Sequence, residues 1–162
     1  MSEIVTNDVC RATQDGDFYC QRYFKEWSVF PLTFWEVIEK MDWKGACESG
    51  VKAPYKVTAK RLVEVTNDNP RIIDDLNQTF HAYKKILKTA IEDYEVKVSG
   101  NRHCQNAIVW HGCDDSFDDF TSHIIGMGKE VFFEVLANPL LANHYTDSYQ
   151  ESFAYSFHRF KN

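Results

Sequence analysis

Apolar positions recur at three- and four-residue steps along most of the chain, which is the period of a helix that buries one face. The pattern is longest after Asn67–Pro70, where Asn69 suits a helix cap and Pro70 the first helical position. The apolar face that follows comprises Ile73, Leu76, Phe80, Tyr83, Leu87, Ala90, Ile91 and Tyr94. We therefore predict a long helix that ends at the breaking sequence Ser99–Asn101.

Helix signals also precede this segment. Thr33 and Glu36 have the spacing of a capping box, in which each side chain satisfies the backbone N–H of the other. The helix that they open is expected to fade near Gly45, followed by a loop over residues 46–53. Pro54 is suited to open the next helix.

Two more helices are predicted towards the C-terminus. Asp114 or Asp115 opens the first, whose apolar stripe includes Gly128, a residue that we expect to allow close approach of another helix. Pro139 ends this helix because proline disfavours the helical conformation of the residue before it. Aromatic residues at similar steps predict a final helix near residues 147–160.

The N-terminal part of the chain completes the fold prediction. Residues 18–30 carry aromatic side chains at helical spacing, whereas residues 1–17 are polar and are predicted to form a flexible or peripheral arm. No segment predicts a strand, and no linker rich in Gly, Ser or Pro divides the chain. The expected fold is all-α, a single-domain bundle of about five to seven helices over residues 18–162.

Charge narrows the class of partner. Twenty-four acidic and 18 basic residues give a net charge of −6, which disfavours binding to nucleic acid, since that requires a basic face. It favours a basic protein surface as partner. No apolar run reaches the ~18–20 residues that cross a bilayer, and the first residues lack the pattern of a signal peptide. We therefore predict a soluble cytoplasmic protein without a membrane partner.

Cysteine usage predicts no disulfide framework. The count is odd, the spacings are wide and no Cys-x-x-Cys occurs, so we expect free thiols in a reducing compartment. The five cysteines are Cys10, Cys20, Cys47, Cys104 and Cys113.

The segment 110–120 is the most unusual in the chain, because four aspartates fall within six positions at a predicted helix start. Acids in a first helical turn interact favourably with the helix dipole, which is a purely structural explanation. Four acids exceed what one cap requires, however, so we predict an acidic surface that docks Lys or Arg side chains. The candidate partner-binding residues are Trp110, His111, Asp114, Asp115, Asp118 and Asp119.

Other chemistry in this region has weaker support. The spacing of the potential zinc ligands fits no common knuckle, and the aspartate run lacks the alternation and the glycine of a calcium loop. Cys113 lies before a helix start, where a thiolate is stabilised, but neighbouring acids raise a thiol pKa. We predict no metal, no cofactor and no catalytic residue. The potential zinc ligands are His103, Cys104, His111 and Cys113.

Two stretches carry a family resemblance. Phe34–Ile38 resembles the Phe-Trp-x-Leu-Ile opening of a bacterial family of domains of unknown function, number 4240. The run from His111 to Phe117, continued by Phe120, Ile125, Gly128–Phe132 and Leu136–Pro139, is similar to the core motif of that family. The resemblance spans roughly residues 33–158 and implies an all-helical cytoplasmic bacterial domain. It implies no activity.

Two functional hypotheses follow from these observations. The first is a protein-binding module, specifically an immunity protein that neutralises a cognate bacterial toxin through the acidic and aromatic surface. The second is a metal-dependent or thiol-dependent enzyme that uses segment 110–119. The first is favoured because the sequence shows acidic charge and no catalytic constellation.

Overall fold

The computed structural model describes residues 11–12, 18–19, 32–99, 115–145 and 153–158. Six α-helices lie in these residues, which confirms the all-α class and the predicted number of helices. Two 3-10 helices follow them, Pro139–Tyr145 and Phe153–Phe157. The α-helices are α1 (Phe34–Met41), α2 (Trp43–Glu48), α3 (Pro54–Thr66), α4 (Pro70–Ser99), α5 (Asp115–Gly126) and α6 (Lys129–Ala137).

A short hairpin precedes the helices. Strand β1 (Arg11–Ala12) pairs antiparallel with β2 (Phe18–Tyr19), with Arg11 opposite Tyr19. The prediction of a helix from residue 18 is therefore wrong at its first two residues. Phe and Tyr have high strand propensity, and main-chain pairing with β1 overrides their helical spacing. The rest of segment 18–30 lies outside the described residues.

Helix α1 begins at the predicted capping residue. The backbone N–H of Glu36 donates to Oγ1 of Thr33 at 3.2 Å, which confirms one half of the capping box. In the other half, the hydroxyl of Thr33 donates to Oε1 of Glu36 at 3.3 Å. The Glu36 carboxylate thus accepts a hydrogen bond from the Thr33 hydroxyl and not from the Thr33 backbone N–H.

Asp42 ends α1 and begins α2. Its φ of 49° is left-handed, so α1 stops at Met41, earlier than the predicted fading near Gly45. The Asp42 carboxylate then accepts the N–H of Gly45 at 3.1 Å, and α2 runs on to Glu48 through the first residues of the predicted loop. Arg61 of α3 donates to the carbonyl of Met41 at 2.9 Å, which places a cation at the negative end of α1.

The signals around α3 and α4 are confirmed. Pro54 is the first residue of α3. The side chain of Asn69 accepts the N–H groups of Arg71 at 3.0 Å and of Ile72 at 3.3 Å, which caps α4 as predicted. Most of the predicted apolar face of α4 is buried, namely Ile73, Leu76, Phe80, Tyr83, Leu87 and Ile91.

Contacts divide the chain into two compact units. The first comprises Met1–Ala82 and Tyr155–Asn162, and the second comprises Tyr83–Ala154. In the first unit α1 and α2 pack on α3, and the rings of Phe80 and Phe157 stack with centroids 4.9 Å apart. In the second unit α5 packs on α6, and Tyr83 meets Phe132 edge-on at 5.1 Å. The predicted boundary between an arm and a domain at residues 17 and 18 stays a prediction.

The C-terminal helices differ from the prediction at Gly128. This glycine has a φ of 109° and separates α5 from α6, so it does not lie inside one helix. A Cβ atom there would meet nothing within 4 Å, so the expected close approach of another helix is also wrong. Helix α6 ends at Ala137, before Pro139, as predicted. Within the predicted helix 147–160, the structure describes one 3-10 helix, Phe153–Phe157, in place of an α-helix.

Candidate functional site

Half of the predicted binding residues fall in the described part of the chain. Asp115 is the first residue of α5, and Asp118 and Asp119 follow within the next turn. Trp110, His111 and Asp114 lie outside the described residues, as do His103, Cys104 and Cys113.

Buried side chains hold the start of α5. Phe117 and Phe120 are buried, so the first turns of the helix have a fixed orientation in their own unit. The hydroxyl of Thr121 donates to the carbonyl of Phe117 at 2.9 Å, and that of Ser122 donates to the carbonyl of Asp118 at 2.8 Å. Asp118 and Asp119 are half-buried on the same helix.

Two lysines of α4 neutralise Asp118. Nζ of Lys84 lies 3.0 Å from Oδ2 of Asp118, and Nζ of Lys88 lies 3.4 Å from Oδ1. The Lys84 side chain is only 10% exposed, whereas that of Asp118 is 41% exposed. The carboxylate therefore compensates a cation that is largely removed from water, and removal of either partner leaves the other charge without that compensation.

The same contacts set the protonation of Asp118. Burial by itself raises the pKa of this carboxyl, but the hydrogen bond and charge of Lys84, together with Lys88, lower it below the ordinary value of 3.8. Asp118 is thus ionised at neutral pH.

Lys84 and Lys88 were not singled out from the sequence. Their four-residue spacing places both on one face of α4, but Asp118 is 34 and 30 residues away in sequence. Lys88 also lies over the ring of Phe117, with Nζ 5.3 Å from the ring centroid. The spacing was the available signal, and it does not identify a partner so distant in sequence.

His123 was also not singled out. It lies on α5 and is 3% exposed. Burial lowers the pKa of its imidazole from 6.5 to about 4, so the side chain is neutral at pH 7. Its position three residues after Phe120 places the two side chains on the same helical face, which is the sequence signal for burial.

Cys47 is the cysteine that the structure describes, and it is a free, half-buried thiol as predicted. Burial, with the nearby charge of Glu48, raises its pKa to about 11. The thiolate form is therefore rare at neutral pH, and a nucleophilic role for Cys47 is disfavoured.

The described residues form no metal-binding cluster and no membrane-spanning helix. Among residues 32–99, 115–145 and 153–158, no three side chains of His, Cys, Asp or Glu come together as a ligand set for a metal ion. No helix in this described part is both long and apolar enough to cross a bilayer.

Comparison with known protein families, with curated proteins and with solved structures finds no match to this chain. The resemblance to family 4240 stays a prediction.

Proposed function

We propose that this chain is a cytoplasmic bacterial protein-binding module, an immunity protein that neutralises a cognate toxin by docking against its basic surface. The net charge of −6 supports an electrostatic attraction to a basic partner. The observation that carries the proposal is the start of α5, where closely spaced aspartates lie on a helix that buried Phe117 and Phe120 hold in place.

The aspartates have different roles in this proposal. Asp118 keeps its ion pairs with Lys84 and Lys88 and positions the helix start. Asp114, Asp115 and Asp119 are the proposed charge partners of lysines and arginines of the toxin, and Trp110 and His111 precede them in the sequence. Tryptophan is among the residue types that most often anchor protein interfaces.

The test uses the purified protein and a purified toxin candidate encoded beside it. We expect the protein to bind the toxin and to inhibit its activity. The triple variant Asp114→Asn, Asp115→Asn and Asp119→Asn is expected to weaken binding at least tenfold, mainly through slower association at low salt. Asparagine keeps the capacity to cap a helix, so the fold is retained.

A matched control variant removes three negative charges at other positions. Asp74, Asp93 and Glu130 are exposed acids of α4 and α6, and their amide variants are expected to change the affinity less than threefold. An equal loss in both triple variants would show that only net charge matters and would contradict the assigned surface. Absence of binding and inhibition by the wild type would reject the immunity function.

A further inference from the structure

A cleft of about 690 Å³ lies within the first unit. Its walls come from α3, from the first residues of α4 and from the 3-10 helix Phe153–Phe157 with the following residue. A volume of this size is typical of small-molecule sites, which span roughly 300–1,000 Å³.

The floor of the cleft is apolar and held in place. Leu62, Ile73 and Phe157 line it and are buried. The ring of Phe157 stacks on Phe80. The 3-10 helix Phe153–Phe157 forms one wall, and a buried hydrogen bond joins it to α3. This bond of 2.6 Å lies between the hydroxyls of Ser156 and Thr58, which are 98 residues apart in sequence. The cleft is therefore preformed and does not require a ligand to assemble it.

The rim of the cleft is basic. Lys56 and Lys60 lie one turn apart on α3, and both are exposed. In the described part of the chain neither forms an ion pair, which requires a carboxylate within 4.0 Å. His158 is also at the rim, and Asp68 is the one acid among the described lining residues. Two lysine side chains thus border an apolar cavity in a chain whose net charge is −6.

We propose that this cleft binds a small amphipathic carboxylate, whose apolar body packs on Leu62, Ile73 and Phe157 and whose carboxylate lies between Lys56 and Lys60. The apolar floor selects an alkyl or aryl body, and the paired ammonium groups select an anionic head. This site is separate from the aspartates of the proposed protein-binding function, so the two proposals can fail independently.

The experiment is an NMR titration of the ¹⁵N-labelled protein with three eight-carbon probes below their micellar concentrations: octanoate, octanol and octylammonium. We expect octanoate to bind most tightly and to shift the amide signals of Leu62, Ile73 and Phe157. Butanoate is expected to bind at least tenfold more weakly, since it loses four buried methylenes. Octylammonium is expected to bind more weakly than octanol because its charge is repelled by the rim.

Three variants test the residues. The pair Lys56→Gln and Lys60→Gln is expected to lower the octanoate affinity about tenfold while leaving that of octanol unchanged. The control pair Lys40→Gln and Lys44→Gln removes two exposed charges outside the lining and is expected to leave both affinities unchanged. Val63→Trp, at a partly exposed lining position, is expected to fill the cleft and weaken every probe.

Several results would overturn the proposal. If octanol bound as tightly as octanoate, Lys56 and Lys60 would not contribute to ligand binding. If both lysine-pair variants lost the same octanoate affinity, the net charge of the protein would account for the effect and the position of the lysines would not. Shifts that avoid Leu62, Ile73 and Phe157, with Val63→Trp binding normally, would place the ligand elsewhere. The spectrum of each variant without ligand shows whether it has the wild-type fold. If the double lysine variant does not fold, the single variant Lys56→Gln replaces it in the titration.

Discussion

Two lysine pairs in this protein have the same spacing and different surroundings. Lys84 and Lys88 lie one turn apart on α4 and share the carboxylate of Asp118, with Lys84 almost removed from water. Lys56 and Lys60 lie one turn apart on α3, exposed at the rim of an apolar cleft. The first pair is compensated within the fold, and the second presents its charge to solvent.

The difference shows that spacing on one helix does not determine what a pair of charges does. A buried ammonium group has lost its hydration, and a nearby carboxylate compensates for that loss. The ion pair between Lys84 and Asp118 therefore contributes to stability only while Asp118 is ionised. Exposed charges contribute little to stability, because water solvates them equally well in the unfolded chain. Such charges are available for a ligand.

The largest change in stability that we expect near the first pair comes from protonation of His123 in acid. His123 lies on α5, as does Asp118. Its pKa is about 4 in the folded protein and about 6.5 in the unfolded chain, so the unfolded chain binds more protons between these values. The free energy of unfolding therefore falls as the pH falls from 6.5 to 4. The full loss, reached below pH 4, is about 3–4 kcal/mol, from about 1.4 kcal/mol for each of about 2.5 pKa units.

Urea unfolding at a series of pH values measures this loss. His123→Gln is expected to flatten the curve between pH 6.5 and 4, and His144→Gln, at an exposed position, is expected to leave it as in the wild type. If the His123→Gln curve kept the wild-type slope, burial of the neutral imidazole would not be the cause.

The next effect breaks the compensated pair. Asp118→Asn removes the negative charge beside Lys84 and is expected to lower the free energy of unfolding by about 1–2 kcal/mol, less than for a fully buried pair since Asp118 is partly exposed. Asp74→Asn, at an exposed position of α4, is the control and is expected to change it by less than about 0.5 kcal/mol. Urea unfolding at pH 7 distinguishes them, and equal values would mean that the ion pairs do not stabilise the fold.

A smaller effect concerns the wall of the cleft. Thr58→Val removes the hydroxyl that bonds to Ser156 and is expected to cost about 1 kcal/mol, because a buried hydroxyl is left without this partner. The double variant with Ser156→Ala is expected to cost less than the sum of the two single changes. Thermal unfolding of the four proteins gives the coupling, and strict additivity would argue against the hydrogen bond.

The smallest effect is expected at the exposed pair. Lys56→Gln with Lys60→Gln is expected to change the free energy of unfolding by less than about 0.5 kcal/mol. The change removes no ion pair between described residues, and it relieves a repulsion between like charges. Urea unfolding measures it. A loss above about 1 kcal/mol would show that these lysines are structural, like Lys84.

The sequence predicted the fold where local chemistry decides it. The capping positions of Thr33 and Asn69 and the apolar face of α4 were predictable because they depend on neighbours within one or two turns. Gly128 was misinterpreted, since its apolar flanks continue the helical period although its backbone has a positive φ. Asp42 ends α1 by a left-handed conformation that no periodicity indicates.

The candidate sites were harder to predict, because they depend on contacts between distant segments. The acidic run was visible in the sequence, but its ion pairs reach across 30 and 34 residues to α4. The cleft joins α3 to Ser156, 98 residues from Thr58. One sequence gives no measure of such pairings, so the two lysine pairs appear equivalent until the chain is folded.

The central claim is that one lysine pair stabilises the fold and the other binds a ligand, and one measurement tests both halves. It is the free energy of unfolding at pH 7 of the wild type, of Lys84→Gln with Lys88→Gln, and of Lys56→Gln with Lys60→Gln. Each protein is measured without octanoate and with one fixed octanoate concentration, about ten times the dissociation constant of the wild type. Ligand at that level stabilises a binding protein by about 1.4 kcal/mol.

We predict that the Lys84 and Lys88 variant loses stability but keeps the octanoate increment, whereas the Lys56 and Lys60 variant keeps stability and loses most of the increment. Equal behaviour of the two variants, or a full increment in the second, would contradict the account.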